Sequence, residues 1–127
     1  QIIAPATAQK IKNILVQAVE RGTGRKAYTI GLEIGGKTGT ARVAKNGGYS
    51  QAYNSSFMGF VNDGSASYTM GVFVKEPKRG SYYAAQNALP IFKNAVEIMI
   101  KNGFLKPIET RPTKENTDKT ELDNIKD

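Results

Sequence analysis

The 127 residues contain no cysteine and no histidine. Without cysteine there is no disulfide and no thiolate metal site. Without histidine the commonest general base and metal ligand is missing, so neither a Ser-His-Asp nor a Cys-His mechanism can be carried within this chain. No apolar run is long enough to span a bilayer, and the opening residues do not read as a signal peptide. Acidic residues are few: eleven Asp and Glu against eighteen Lys and Arg, a net charge of +7. Residues 1–105 hold thirteen basic and five acidic side chains, and residues 106–127 hold five and six. A basic body could attract nucleic acid or an anionic surface. These cations are scattered singly and are not interleaved with aromatics, so a solvated basic surface is expected and no nucleic-acid partner.

What is present reads as one domain with a modest core. The hydrophobic fraction is 39%. Residues 5–20 form an amphipathic pattern, with Ala8, Ile11, Leu15, Ala18 and Val19 at helical spacing, Pro5 in the first turn and Gly22 and Gly24 after the end. A tight basic turn, Arg21 to Lys26, follows. Three runs then read as an antiparallel meander, at about 32–44, 53–62 and 67–75. A turn is expected at Asn46-Gly47-Gly48 within a longer polar connection over 45–52, and a short turn at Asn62-Asp63-Gly64. A second helix is expected over about 86–102, with Leu89, Phe92, Val96, Met99 and Ile100 as its stripe and Gly103 at its end. Residues 106–127 are charged, with few apolar side chains, and read as a disordered polar tail.

The fold class is therefore α+β: a three-stranded antiparallel meander with an N-terminal and a C-terminal helix on one face. Two open edges and one uncovered face would remain, and Ile34, Phe57, Phe60 and Val72 are more apolar surface than such a sheet should carry. The chain is expected to be a piece of something larger.

The chemistry concentrates in residues 32–42, Leu-Glu-Ile-Gly-Gly-Lys-Thr-Gly-Thr-Ala-Arg. On a strand, period two puts Thr38, Thr40 and Arg42 on one face. Two hydroxyls and a guanidinium in a row suit a carboxylate. Gly39, between the hydroxyls, lets another backbone or a ligand come close. Two motifs compete here. Lys37-Thr38-Gly39 matches the Lys-Thr-Gly element of penicillin-recognising serine acyltransferases. Gly31 to Thr38 matches G-x-x-x-x-G-K-[ST], a phosphate loop that would make the chain a nucleotide-binding module. A phosphate loop needs a helix opening at Lys37, and the residues after it favour a strand. A glycine-rich loop with a solvated lysine is the bland third reading, and a non-catalytic interaction module with free sheet edges is a further one.

The order of several stretches resembles the C-terminal end of the transpeptidase domain of class B penicillin-binding proteins. These are Gly22-Thr23-Gly24-Arg25, residues 36–42, Gly47-Gly48-Tyr49, residues 53–60, Glu76-Pro77, Tyr82-Tyr83 and residues 88–92. The resemblance covers about residues 1–103, with 1–105 as the domain portion. The arginine after Thr40-Ala41 resembles the division-specific, septal branch. The resemblance implies a serine DD-transpeptidase of peptidoglycan synthesis, acylated by β-lactams, with no cofactor and no metal. Its partners would be D-Ala-D-Ala stem peptides, β-lactams, the upstream part of the same domain and other cell-division proteins. Its place would be the periplasmic side of the bacterial inner membrane, anchored by an N-terminal segment absent from this chain. By the same resemblance, Thr38 and Thr40 would bind the substrate carboxylate. Lys37 would add positive potential and hold a second-motif serine, although alternation sets its side chain opposite Thr38. The Thr40 backbone N–H would be half of an oxyanion hole, Arg42 would assist the carboxylate, and Tyr82, Tyr83 and Tyr53 would line the cleft. The Ser-x-x-Lys and Ser-x-Asn motifs of that family match no serine in the sequence, so the nucleophile is expected upstream of Gln1 and this fragment is expected to be inactive alone.

Overall fold

A computed structural model of the chain describes residues 1–78 and 83–108. Helix α1 is Pro5–Arg21, a 3-10 turn covers Arg25–Ala27, and strands β1 (Glu33–Lys45), β2 (Gly48–Asn62) and β3 (Ser67–Lys75) lead to helix α2 (Ala88–Lys101). The strands form one antiparallel sheet in the order β1-β2-β3. No helix among the described residues is long and apolar enough to cross a membrane.

Local chemistry sets the ends of these elements. Pro5 opens α1, where its fixed φ is ready for the helix and its missing N–H is not needed. At the other end the N–H groups of Gly22 and Gly24 both donate to the Ala18 carbonyl. The Asn87 side chain accepts from the Ala88 N–H and starts α2. Asn46 and Gly47 both have positive φ, 49° and 77°, and close a two-residue β1–β2 hairpin with Lys45 opposite Gly48. This corrects the expected long connection over 45–52: residues 48–52, which read as loop, belong to β2.

The helices take opposite faces of the sheet, which corrects the expected single covered face. Phe57, Gly59 and Val61 of β2 lie on one face with Ile34 and Gly36 of β1. There the Phe57 ring meets Phe92 of α2 edge to face, with centroids 4.7 Å apart. A Cβ on Gly35, which faces the other way, would lie 3.1 Å from the Leu15 backbone of α1 and 2.6 Å or less from the Phe60 ring. Lys12 of α1 pairs with Glu33 of β1 on that same side at 2.8 Å, a partly exposed bridge of modest worth. The turn after α1 then carries the chain around the β1 edge into the α2 layer. Ala27 is fully buried there, and Lys93 of α2 donates to the Tyr28 carbonyl and the Thr29 hydroxyl. The surplus of apolar residues is thus largely covered: Ile34 and Phe57 are buried under α2, and Phe60 is half-buried beneath α1. Met58 and Phe73, past the reach of α1, remain exposed.

Asp63 clasps the far end of the sheet. Its Oδ1 accepts from the N–H groups of Ser65 and Ala66, and its Oδ2 accepts from the Lys106 N–H at 2.9 Å. The Ile108 N–H donates to the Gly31 carbonyl, so residues 106–108 of the expected tail lie against the sheet; residues 109–127 lie outside the described ones.

Two outcomes follow from this packing. A Cβ on Gly36 would stand 2.5 Å from the Phe57 ring and 2.7 Å from the Met58 carbonyl. Gly36→Ala should therefore cost about 1–3 kcal/mol, read as a lower urea midpoint with an unchanged slope; an unchanged midpoint would refute the close approach. The N–H groups of Ala66, Lys106 and Ser65 hold the Asp63 carboxyl below its ordinary pKa, against a smaller opposing effect of desolvation. A depressed folded pKa gives stability that is present above the unfolded pKa and lost as pH falls through the folded one. Asp63→Ala should flatten the loss of stability on the acid side in pH-dependent thermal melts; an unchanged acid limb would count against the clasp.

Candidate functional site

The candidate stretch lies in the second half of β1, at an edge of the sheet among the described residues. The first half is held between layers: Ile34, Gly35 and Gly36 are all buried, and exposure begins at Lys37. Strand β1 runs through Lys37 without a break to Lys45. No helix opens at that lysine, so the phosphate-loop reading of Gly31 to Thr38 is excluded: its phosphate-cradling amides belong to a helix N-terminus that does not form here.

Thr38, Thr40 and Arg42 project from one face of β1, opposite Phe57, Ser55 and Tyr53 of β2. Each step of two residues advances about 6.6–6.8 Å. The two hydroxyls are engaged differently. Thr38 donates to the Thr23 hydroxyl at 3.2 Å, a contact from the turn after α1. Thr40 accepts from the Ala84 N–H at 3.1 Å, a contact from the segment before α2. A hydroxyl carries one proton and two acceptor positions. Thr40 therefore keeps its proton for a ligand. The Thr23–Thr38 pair holds two protons and uses one between them, so it too has a donor to offer. Gly39 lies between, on the opposite face, where a Cβ would meet the Ser56 hydroxyl at 2.7 Å.

Lys37 leaves the strand on the face opposite Thr38, as alternation requires, and its ammonium curls back to donate to the Thr38 carbonyl at 2.9 Å. One of its three N–H donors is used in that contact. The ammonium thus reaches the backbone of Thr38 from the opposite face of the strand.

Further along, the Arg42 guanidinium lies 5.8 Å from the Tyr49 ring centroid and 6.0 Å from that of Tyr53, and donates to the Ser50 carbonyl at 3.3 Å. Tyr83 is exposed and stands one residue before Ala84, which touches Thr40. Tyr82 lies outside the described residues. The fold therefore gathers Lys37, Thr38, Gly39, Thr40 and the Tyr83-Ala84 segment, with Arg42 and Tyr53 one step further out. Thr23, Ala84, Tyr49 and Ser50 also belong to the site's hydrogen bonds and stacking. Only the glycines around Thr23 could have hinted at one of these, and alone they signal no more than a turn.

A family model described as the penicillin binding protein transpeptidase domain matches residues 1–97. The chain is 32% identical over 130 residues to stage V sporulation protein D of Bacillus subtilis (strain 168), across 98% of this chain and 20% of that protein. It is 34% identical over 116 residues to the probable peptidoglycan D,D-transpeptidase PenA of Neisseria flavescens, across 90% of this chain and 28% of that protein. Among solved structures, the apo TP domain of Burkholderia pseudomallei penicillin-binding protein 3 superposes with a TM-score of 0.69 at 27% identity, across 87% of this chain and 33% of that one. The chain thus spans less than a third of the length of these curated relatives. With its Lys-Thr-Gly strand at the sheet edge and a family match running from Gln1 through α1, the sheet and most of α2, the chain belongs to the penicillin-binding protein transpeptidase domain family.

Proposed function

We propose that this chain supplies the Lys-Thr-Gly wall of a serine DD-transpeptidase that cross-links peptidoglycan stem peptides. The observation that carries the reading is the pair of threonine hydroxyls on one face of an edge strand: Thr40 keeps its proton for an incoming anion, the Thr38–Thr23 pair has a second proton to offer, and the Lys37 ammonium lies at the Thr38 carbonyl. Charge-assisted hydrogen bonds of this kind suit the terminal carboxylate of a D-Ala-D-Ala stem or of a β-lactam. Two relatives of similar length of match carry the name peptidoglycan D,D-transpeptidase, which supports the same reading.

In this mechanism a serine outside the 127 residues attacks the penultimate D-Ala carbonyl. Its proton passes to the lysine of the same Ser-x-x-Lys motif. The Thr40 backbone N–H and that of the nucleophile hold the oxyanion; one such donor contributes about 2.7–4 kcal/mol to the transition state. The C–N bond breaks, D-alanine leaves as the protonated amine, and the amine of a second stem resolves the acyl-enzyme. Lys37 adds positive potential and meets the serine of Ser-x-Asn. Tyr83 borders the cleft, with Tyr53 further out. The arginine at position 42, and relatives named FtsI and PenA, favour the division branch. The site would face the periplasm, with a membrane anchor, the upstream half of the domain and other division proteins as its partners.

Lys37→Ala in the longer protein carrying this segment should slow acylation by a fluorescent penicillin roughly ten- to a hundredfold, the worth of one charge-assisted contact, with an unchanged melting temperature. Lys37 is exposed and contributes little packing. As a control, the 127 residues alone should gain no adduct by intact mass. Wild-type acylation by the variant, or a stoichiometric adduct on the 127 residues alone, would overturn the proposal.

A further inference from the structure

The Gly22-Thr23-Gly24 turn after α1 meets the site through the Thr23 hydroxyl, 3.2 Å from that of Thr38. The turn is fixed from several sides. The N–H groups of Gly22 and Gly24 converge on the Ala18 carbonyl, and the Ala27 N–H donates back to the Gly24 carbonyl at 2.9 Å. A Cβ at Gly22 would stand 2.9 Å from the Ala18 carbonyl oxygen, and one at Gly24 would stand 3.1 Å from Val19 Cγ2. The backbone on either side of Thr23 therefore lies closer to the end of α1 than side chains would allow. Beyond it, the fully buried Ala27 and the contacts of Lys93 with the Tyr28 carbonyl and the Thr29 hydroxyl tie the chain to α2. The backbone is thus held on both sides, while Thr23 itself is exposed.

The two threonines of β1 differ in what their partners allow. The Ala84 N–H can only donate, so Thr40 can only accept there and its proton points elsewhere. A bond between two hydroxyls can run either way, because each group has a proton and lone pairs. In the free site Thr38 donates to Thr23, and the unused proton of the pair is on Thr23. An anion on the face shared by Thr38 and Thr40 draws the Thr38 proton toward itself. The Thr38 lone pairs are then open to Thr23, whose own proton can turn to them. We propose that Thr23 is a positioning residue for the carboxylate site: its bond to Thr38 reverses when an anion docks, so that Thr23 donates to Thr38 and Thr38 to the anion. The reversal keeps the bond between the hydroxyls and adds one to the ligand. A hydroxyl that accepts a hydrogen bond is a better donor, so the chain of two strengthens the contact with the anion. The inference rests on the reading of the threonine pair as a carboxylate site.

The test uses the longer protein carrying this segment, with Thr23→Val, Thr23→Ser, Thr38→Val and the double variant Thr23→Val/Thr38→Val. Thr23→Val should raise the half-saturating concentration of benzylpenicillin roughly two- to twelvefold, the worth of one uncharged hydrogen bond. The limiting acylation rate should stay within about twofold, because Thr23 acts on docking. Thr23→Ser should behave as wild type, and the carboxylate methyl ester of benzylpenicillin should not distinguish Thr23→Val from wild type. In the Thr38→Val background the loss of the Thr23 hydroxyl should have no further effect, since the chain then lacks its middle member. Binding of N-acetyl-D-alanine, which has the carboxylate and no scissile bond, should weaken by the same factor, read from the Thr40 methyl resonance. The proposal is overturned if Thr23→Val binds both anions as wild type does, if Thr23→Ser is as weak as Thr23→Val, if the ester weakens equally, or if Thr23→Val is equally costly without the Thr38 hydroxyl. A wild-type protein that binds N-acetyl-D-alanine but is not acylated overturns the transpeptidase reading alone. One that does neither overturns the carboxylate reading and this proposal with it.

Discussion

Strand β1 is gripped on both sides where it has no side chains. At Gly35 the α1 backbone comes within van der Waals range, and at Gly36 the Phe57 ring fills the space a Cβ would need. On the next strand Gly59 faces Phe92 of α2 in the same way. Three side chains are missing at the one place where two helices and a sheet converge. That absence lets the layers close, buries Phe57, Phe92 and Val61 completely, and fixes the height and direction of β1. From Lys37 onward the same strand emerges from the grip and presents its side chains along an open edge. The rigid half thus aims the exposed half, as side chains on a strand of a packed scaffold are held more closely than those on a loop.

The hydrogen bonds around the threonines extend this support from two directions. Thr23 reaches Thr38 from the turn after α1, and Ala84 reaches Thr40 from the segment before α2. Both contacts meet the face of β1 that carries Thr38 and Thr40, one from the turn that follows α1 and one from the segment that precedes α2. The hydroxyl orientations are therefore determined by the tertiary fold. A change in the approach of either helix would alter which hydroxyl protons remain unused, without touching Lys37, Thr38 or Thr40.

Much of this was readable in the sequence, because helices and strands announce themselves by the spacing of apolar residues. Ala8, Leu15 and Val19 mark α1, and Leu89, Phe92 and Val96 mark α2, while the turn residues of 62–64 set β2 beside β3. The Lys-Thr-Gly strand was readable because Gly39 and β-branched Val43 disfavour the helix a phosphate loop requires. The side of the sheet taken by each helix was not readable. Ile34, Gly35 and Gly36 are buried in succession, so the period-two signal vanishes where it would have told the two faces apart. The start of β2 was hidden for a related reason: Gly48 to Ala52 form a strand with no buried face, and a strand without a buried face has the composition of a loop. Contacts such as Thr23 to Thr38, fifteen residues apart, and Ala84 to Thr40, forty-four apart, leave no local pattern at all.

The central claim is that the threonine hydroxyls of β1 recognise a carboxylate. The most direct measurement compares Thr40→Val with wild type in the longer protein, using benzylpenicillin and its carboxylate methyl ester. Valine keeps the shape and the backbone N–H and removes one hydrogen bond to a charged group. Acylation by benzylpenicillin should slow roughly ten- to a hundredfold, and acylation by the ester, already slow, should be unchanged by the substitution. Equal slowing of both compounds, or of neither, would contradict the assignment of the Thr40 hydroxyl to the carboxylate.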